Sequence, residues 1–187
     1  MAAPARDVAK AGGAVSSGAQ SAAKAKGNFL AKVTVYSDLA EEMSRLADQR
    51  SQSAQVKSLA KTIAADHHDA NGRLTSYVLS KKVNLPVASL QGDEKTRATA
   101  AMVSVQKLET LNGAAFDRAF VDAAQKLPEL ATQELMTGRQ SFADDAELLA
   151  VVDPLLQAMD AHRKTAEGLS QTMTGAAAAR RPPSQNR

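Results

Sequence analysis

The chain of 187 residues has no cysteine and no tryptophan, and it has only four Phe and two Tyr. Without cysteine it cannot form disulfides, thiolate metal sites or cysteine nucleophiles. It also lacks a glycine-rich phosphate loop, a Gly-x-Ser-x-Gly elbow and a His-Glu-x-x-His motif. The usual templates for phosphoryl transfer, ester hydrolysis and metalloprotease chemistry are therefore missing. We expect a protein that is not an enzyme.

Long apolar runs and a strong excess of one charge are absent as well. No segment approaches the roughly 20 apolar residues of a membrane span, and the N-terminus has no secretory apolar region. Either the protein is not exported or the sequence is a mature form without its leader, and both interpretations stay open. The net charge is only +3, and much of the basic excess lies near the two ends. We therefore expect no nucleic-acid partner.

Alanine and helical periodicity dominate the sequence. Alanine has the highest helix propensity, and apolar residues recur in steps of three and four, whereas no stretch alternates with period two. The predicted helices cover about 28–50, 53–82, 93–111, 114–138 and 142–173. Asn28 would cap the first helix, and Pro128 would kink or break the fourth. Long helices with short connections favour an all-α, antiparallel four-helix bundle, with the third helix as a short addition.

Two stretches fall outside this helical pattern. Residues 1–26 are rich in Ala, Gly, Ser and Lys, and residues 174–187 end in a Pro-Pro pair and polar side chains. Segments of this composition bury too little surface to offset the entropy cost of ordering them. The sequence thus predicts a helical domain over 27–173 between two mobile tails.

Two histidines lie on the apolar faces of long helices. His67 shares a helix face with Val56, Ile63 and Leu74, while His68 lies about 100° around the same helix. His162 occupies the equivalent stripe of the last helix. Facing helices can bring such residues together with carboxylates into a metal site, and imidazole with carboxylate suits zinc, iron or manganese. The candidate carboxylates are Glu42, Asp66, Asp69, Glu109 and Glu134.

A simpler interpretation competes with the metal site. A di-iron bundle uses Glu-x-x-His steps, but Ala64 and Met159 stand three residues before His67 and His162. Each histidine can instead be a partly buried residue bonded to a carboxylate or backbone carbonyl. Other polar and methionine residues also have structural interpretations: a helix N-terminal role for Asp117, a surface position for Arg118, solvated faces for Glu41-Glu42 and Asp144-Asp145, and gap filling for the methionines after Met1.

Three motifs carry a resemblance to a known family. They are VKSLAKTIAADHHDANGRL at Val56–Leu74, LNGAAFDRAFVDA at Leu111–Ala123, and His162 with Ala166 near the end of the last helix. Over about Phe29 to Met173 the chain resembles the bacterial domain-of-unknown-function family DUF4142. The resemblance implies a ferritin-like helical bundle, usually exported, whose members are often labelled outer membrane or periplasmic proteins and have no established activity. It also implies that His67, with Asp66, is the family histidine.

The sequence departs from that family pattern at three places. Only Glu42 fits a Glu-x-Glu pair whose earlier position is Ala40, Pro128 replaces a histidine, and Leu156-Gln157 replaces Leu-Pro. We therefore expect a non-enzymatic protein of the periplasm or cell envelope, without a cofactor, that acts as an interaction or stress-related module for an unknown protein partner or envelope component. The alternative is a degenerate ferritin-like protein that binds a divalent metal through His67, His162 and Glu42. A third interpretation is a cytosolic partner-binding bundle.

Overall fold

The structure, a computed structural model, describes residues 8–86 and 92–179, and over these ranges the protein is all-α. Five helices are found there, and no strand. Their bounds are α1 Val8–Arg50, α2 Ala54–Lys81, α3 Gly92–Leu108, α4 Gly113–Ser141 and α5 Ala146–Ala179. The predicted all-α class is confirmed.

The first helix begins twenty residues earlier than the sequence indicates. α1 starts at Val8, so the predicted cap at Asn28 is wrong and that residue lies inside the helix. Alanine-rich sequence carries the helix through its glycines, and Gly27 has a packing role. A Cβ atom on Gly27 would lie 2.3 Å from the backbone oxygen of Asn84, so the bare backbone permits α1 to approach the segment after α2.

The predicted domain of 27–173 with two mobile tails stays a prediction. Helix α1 includes part of the first predicted tail, and α5 extends to Ala179. Residues 1–7 and 180–187, where the rest of the two tails would lie, are outside the described residues.

The fourth helix continues through Pro128 and past its predicted end at residue 138. α4 is continuous across the buried Pro128, so of the predicted kink or break the break is wrong and the kink stays a prediction. The helix also runs beyond Gly138 to Ser141. Gly138 is buried, and a Cβ atom there would lie 2.1 Å from Cε2 of Phe29. The glycine therefore marks a close contact between α4 and α1 rather than a helix end.

Four of the helices contact one another in a closed ring. α1 packs on α2 and α4, α5 packs on the same two helices, and α3 lies against α4 and α1. Their apolar faces meet in one core, where each fully buried Leu, Val or Phe side chain contributes about 1.5–3 kcal/mol. The most deeply buried members include Leu30, Met43, Leu108, Phe116, Phe120, Leu135 and Leu148. None of the helices described is both long and apolar enough to cross a membrane.

Candidate functional site

The two stripe histidines meet inside the core. His67 on α2 and His162 on α5 are 3% and 2% exposed, their ring centroids are 5.8 Å apart, and their planes are tilted by 37°. Their predicted core-facing positions are confirmed, and His68 is exposed. The 3.6-residue periodicity of a helix explains this difference between neighbours, because adjacent residues point about 100° apart.

One nitrogen of each imidazole is held by a polar side chain. His67 Nδ1 lies 3.1 Å from Ser37 Oγ on α1, and His162 Nε2 lies 2.8 Å from Asp66 Oδ2 on α2. Asp66 is partly exposed, so its carboxylate stays solvated while it accepts a hydrogen bond from a buried ring. The carboxylate partner expected from sequence is found for His162. The partner of His67 is a hydroxyl group.

Burial determines the protonation state of His67. Desolvation by burial, together with the neighbouring His162 and against the opposing effect of Asp66, lowers the pKa of His67 from 6.5 to about 4. His67 is therefore neutral near pH 7. A neutral imidazole has one nitrogen that donates a hydrogen bond and one that accepts.

A small cavity adjoins both rings. Its volume is about 10 Å³, and its lining residues are Ala40, Met43, Ile63, His67, Ala124, Leu127, Pro128, Met159 and His162. A single water needs roughly this much space. No organic substrate fits in the cavity, and the near-complete burial of both rings closes them to solvent.

Glu42, the third member of the predicted metal set, is not grouped with the histidines. Its carboxylate binds Arg45 at 2.6 and 2.8 Å, and this hydrogen bond lowers the pKa of Glu42. Over residues 8–86 and 92–179, no three His, Asp or Glu side chains are grouped so that they could hold a metal ion. The structure thus brings together two of the three predicted ligands.

The other candidate carboxylates are spread over the surface. Asp69 pairs with Arg73, and Glu134 pairs with Lys32 at 3.4 Å. Glu109 is exposed. Asp117 accepts a hydrogen bond of 2.5 Å from Ser51 Oγ, so it joins the start of α4 to the α1–α2 connection. Arg118 is exposed, as predicted.

A second polar cluster, which we call the Asp145 junction, was missed by the sequence reasoning. Asp145 Oδ2 lies 2.6 Å from Lys26 Nζ and 2.5 Å from the Tyr77 hydroxyl, while Oδ1 accepts from Leu148 N at 3.0 Å. Partial burial alone would raise the pKa of Asp145, but the hydrogen bonds from Lys26, Tyr77 and Leu148 N outweigh it and lower the pKa to about 2.

One part of the junction, the N-cap position of Asp145, could have been predicted from the sequence. An Asp directly before an amphipathic helix is a typical N-cap, and Asp145 precedes α5 at Ala146. The predictions placed Asp145 in a solvated acidic pair and Lys26 in a mobile tail. Asp144 is exposed as expected, but Asp145 is partly buried.

Comparisons with known proteins give a family and a fold. A family model described as "Domain of unknown function (DUF4142)" matches residues 12–169. No curated protein matches the chain. Among solved structures, the crystal structure of a DUF305 fragment from Deinococcus radiodurans is similar, with 15% identity and a TM-score of 0.66 over 79% of this chain and 95% of that one. At this identity the likeness shows a common helical fold alone.

Proposed function

This chain belongs to the DUF4142 family, and from that premise we propose that it is a non-enzymatic protein of the bacterial cell envelope that acts as an interaction or stress-related module. We further propose that its fold is a ferritin-like, antiparallel four-helix bundle. The closed ring of contacts among α1, α2, α5 and α4 supports this arrangement, with α3 packed on its outside.

The burial of the histidine pair carries the non-enzymatic part of the proposal. A catalytic histidine must come within hydrogen-bond reach of its substrate. His67 and His162 are almost completely buried, and the cavity beside them holds about 10 Å³. A chemical step on a substrate has no room there, whereas a polar contact between α2 and α5 needs none.

Localisation is tested by fractionating the native host. We expect the protein to separate with periplasmic or envelope markers, and a deletion strain to be sensitive to osmotic or detergent stress. Recovery with cytosolic markers only would favour the cytosolic partner-binding bundle instead.

The non-enzymatic role is tested by complementing the deletion strain with His67→Gln, beside His68→Gln as the exposed neighbour. We expect both variants to restore stress resistance once their expression matches wild type. A folded His67→Gln protein without any rescue would contradict the proposal, because the ring would then have a role beyond packing, either in chemistry or in the metal binding considered next.

The alternative function is metal binding by a ferritin-like core through His67, His162 and Glu42. The observation that favours it is the 5.8 Å separation of the two imidazoles, while the pairing of Glu42 with Arg45 weighs against the third ligand. Metal analysis of protein from the native host tests it against the double variant His67→Ala, His162→Ala. Equal metal content in both proteins would remove this alternative.

A further inference from the structure

Four side chains with ligand atoms line the small core cavity. Besides His67 and His162, these are the methionines Met43 on α1 and Met159 on α5, which are 1% and 2% exposed. Met159 and His162 are three residues apart, so they lie on one face of α5. Three helices thus place two imidazoles and two methionines on the wall of one small cavity.

The hydrogen bonds of the imidazoles leave one nitrogen of each ring available. Ser37 is bonded to Nδ1 of His67 and Asp66 to Nε2 of His162. No hydrogen bond to either remaining nitrogen is found within the described part of the chain. When the bonded nitrogen carries the hydrogen, the other carries a lone pair. Metal-binding histidines commonly show this arrangement, with the second nitrogen held by a carboxylate or another acceptor.

The distance between the rings fits one shared ion. An ion that holds two imidazole nitrogens at about 2.0–2.1 Å places the ring centroids roughly 5–6 Å apart. The observed separation is 5.8 Å. The cavity of about 10 Å³ has room for one small species, such as a single ion or a single water.

The lining of the cavity selects the type of ion. No carboxylate lines it, since Asp66 lies behind His162, and the remaining walls are apolar. The cost of burying an ion rises with the square of its charge, so a divalent ion costs roughly four times as much as a monovalent one. Thioether sulfur is a soft ligand that selects Cu(I).

We propose that His67, His162, Met43 and Met159 form a buried binding site for monovalent copper, Cu(I), for which Ag(I) is a redox-inert substitute. Asp66 and Ser37 are positioning residues that hold the two rings. The site differs from the divalent alternative because methionine replaces Glu42. It is also independent of the envelope role, which stands whether or not copper binds.

Anaerobic competition of the full chain against the chromophoric chelator bicinchoninate measures Cu(I) binding. We expect one ion per chain, and at least tenfold weaker binding in the variant Met43→Leu, Met159→Leu, because leucine has nearly the volume of methionine and keeps the core packed. The matched control Met102→Leu, Met136→Leu changes two exposed methionines and should bind as wild type does. Asp66→Asn should weaken binding by roughly 10–100-fold.

Nuclear magnetic resonance of the wild-type protein labelled at its methionine methyl groups gives a readout that needs no variant. On addition of Ag(I), the methyl signals of Met43 and Met159 should shift while those of Met102, Met136 and Met173 stay in place. Unshifted signals of Met43 and Met159, equal Cu(I) affinity in a folded Met43→Leu, Met159→Leu protein, or Zn(II) binding as tight as Ag(I) binding would each overturn the proposal.

Discussion

The histidine pair and the Asp145 junction join the same parts of the molecule in opposite electrostatic ways. Both connect α1, α2 and α5, the histidine pair at the middle of α5 and the junction at its start. On α2, His67 and Tyr77 lie about 15 Å apart along the helix. At the pair, burial removes charge and lowers the pKa of His67 to about 4. At the junction, hydrogen bonds from Lys26, Tyr77 and Leu148 N outweigh partial burial and keep the carboxylate charged, with its pKa lowered to about 2.

The comparison shows that burial determines whether a polar contact between two helices is neutral or charged. A charge taken out of water costs several kcal/mol unless it is paired and hydrogen-bonded. In the core, the helices are therefore connected by neutral groups that each form one hydrogen bond. At the partly exposed helix end, water and Lys26 together support a charged group.

Acidification should produce the largest effect, and it should act on the histidine pair first. The unfolded chain binds a proton at His67 near pH 6.5, whereas the folded chain binds it near pH 4. Stability rises with pH where the unfolded state binds more protons, so it falls as the pH drops from 6.5 to 4, by roughly 3 kcal/mol in total. Urea unfolding followed by circular dichroism, which needs no tryptophan, measures this loss.

The variant His67→Gln should flatten that pH dependence, and His68→Gln, which changes the exposed neighbour, should keep it. An unchanged slope between pH 6.5 and 4 in a folded His67→Gln protein would show that another group is responsible.

Removing the carboxylate of the junction should cost about 2 kcal/mol, because Asp145→Ala deletes both an N-cap and an ion pair. Asp145→Asn keeps a good N-cap and should cost less. The part of the wild-type stability that depends on the charge of Asp145 also varies with pH. The pKa of this carboxyl group is about 2 in the folded protein and 3.8 when free, so this stabilisation is present above pH 3.8 and is lost as the pH falls towards 2. Equal costs for the two variants would show that the cap contributes nothing.

Ser37→Ala should destabilise the protein by about 1.5 kcal/mol, because a buried ring nitrogen of His67 loses its partner. The matched control is Ser44→Ala. Both serines are buried on α1, but Ser44 Oγ bonds the Ala40 carbonyl of its own helix, which keeps its backbone bond after the change. Urea midpoints of the two variants at pH 7 measure the difference, and an equal cost would mean that the contact with His67 contributes no stability.

The smallest effect is expected for Lys26→Gln, about 0.5–1 kcal/mol, since a partly exposed ion pair contributes little. Added salt should reduce this cost. Lys81→Gln removes an ion pair with Glu147 that is more exposed, and its effect should be closer to zero. Thermal melts at low and high salt compare the two. A salt-independent cost for Lys26→Gln would indicate packing of its alkyl chain instead.

Periodicity in the sequence predicts which residues face the core, and that was enough to find the fold class and the two histidines. It does not predict how far one helix slides along another. Ser37 and His67 are 30 residues apart, and Lys26 and Asp145 are 119 apart, so no local pattern indicates either contact. Glu42 is bound by Arg45, three residues later on the same helix, and a local pair of this kind competes with a role as a ligand in the core.

Helix ends were harder to predict than helix faces. Gly27, Pro128 and Gly138 all signal interruption when considered one at a time, yet each lies inside a helix. At the two glycines, another segment of the same protein lies too close to leave room for a Cβ atom. Such a contact depends on residues far away in sequence, and only the packed structure reveals it.

The bond between Lys26 and Asp145 has a consequence for the order of folding events. It spans 119 residues, whereas the contacts between α1 and α2, or between α4 and α5, join helices that are adjacent in the chain. Closing a longer loop costs more entropy, so we expect the adjacent helices to pair before this bond forms. Contacts absent from the transition state slow unfolding without speeding folding, and the junction would then act as a latch that lengthens the lifetime of the native state.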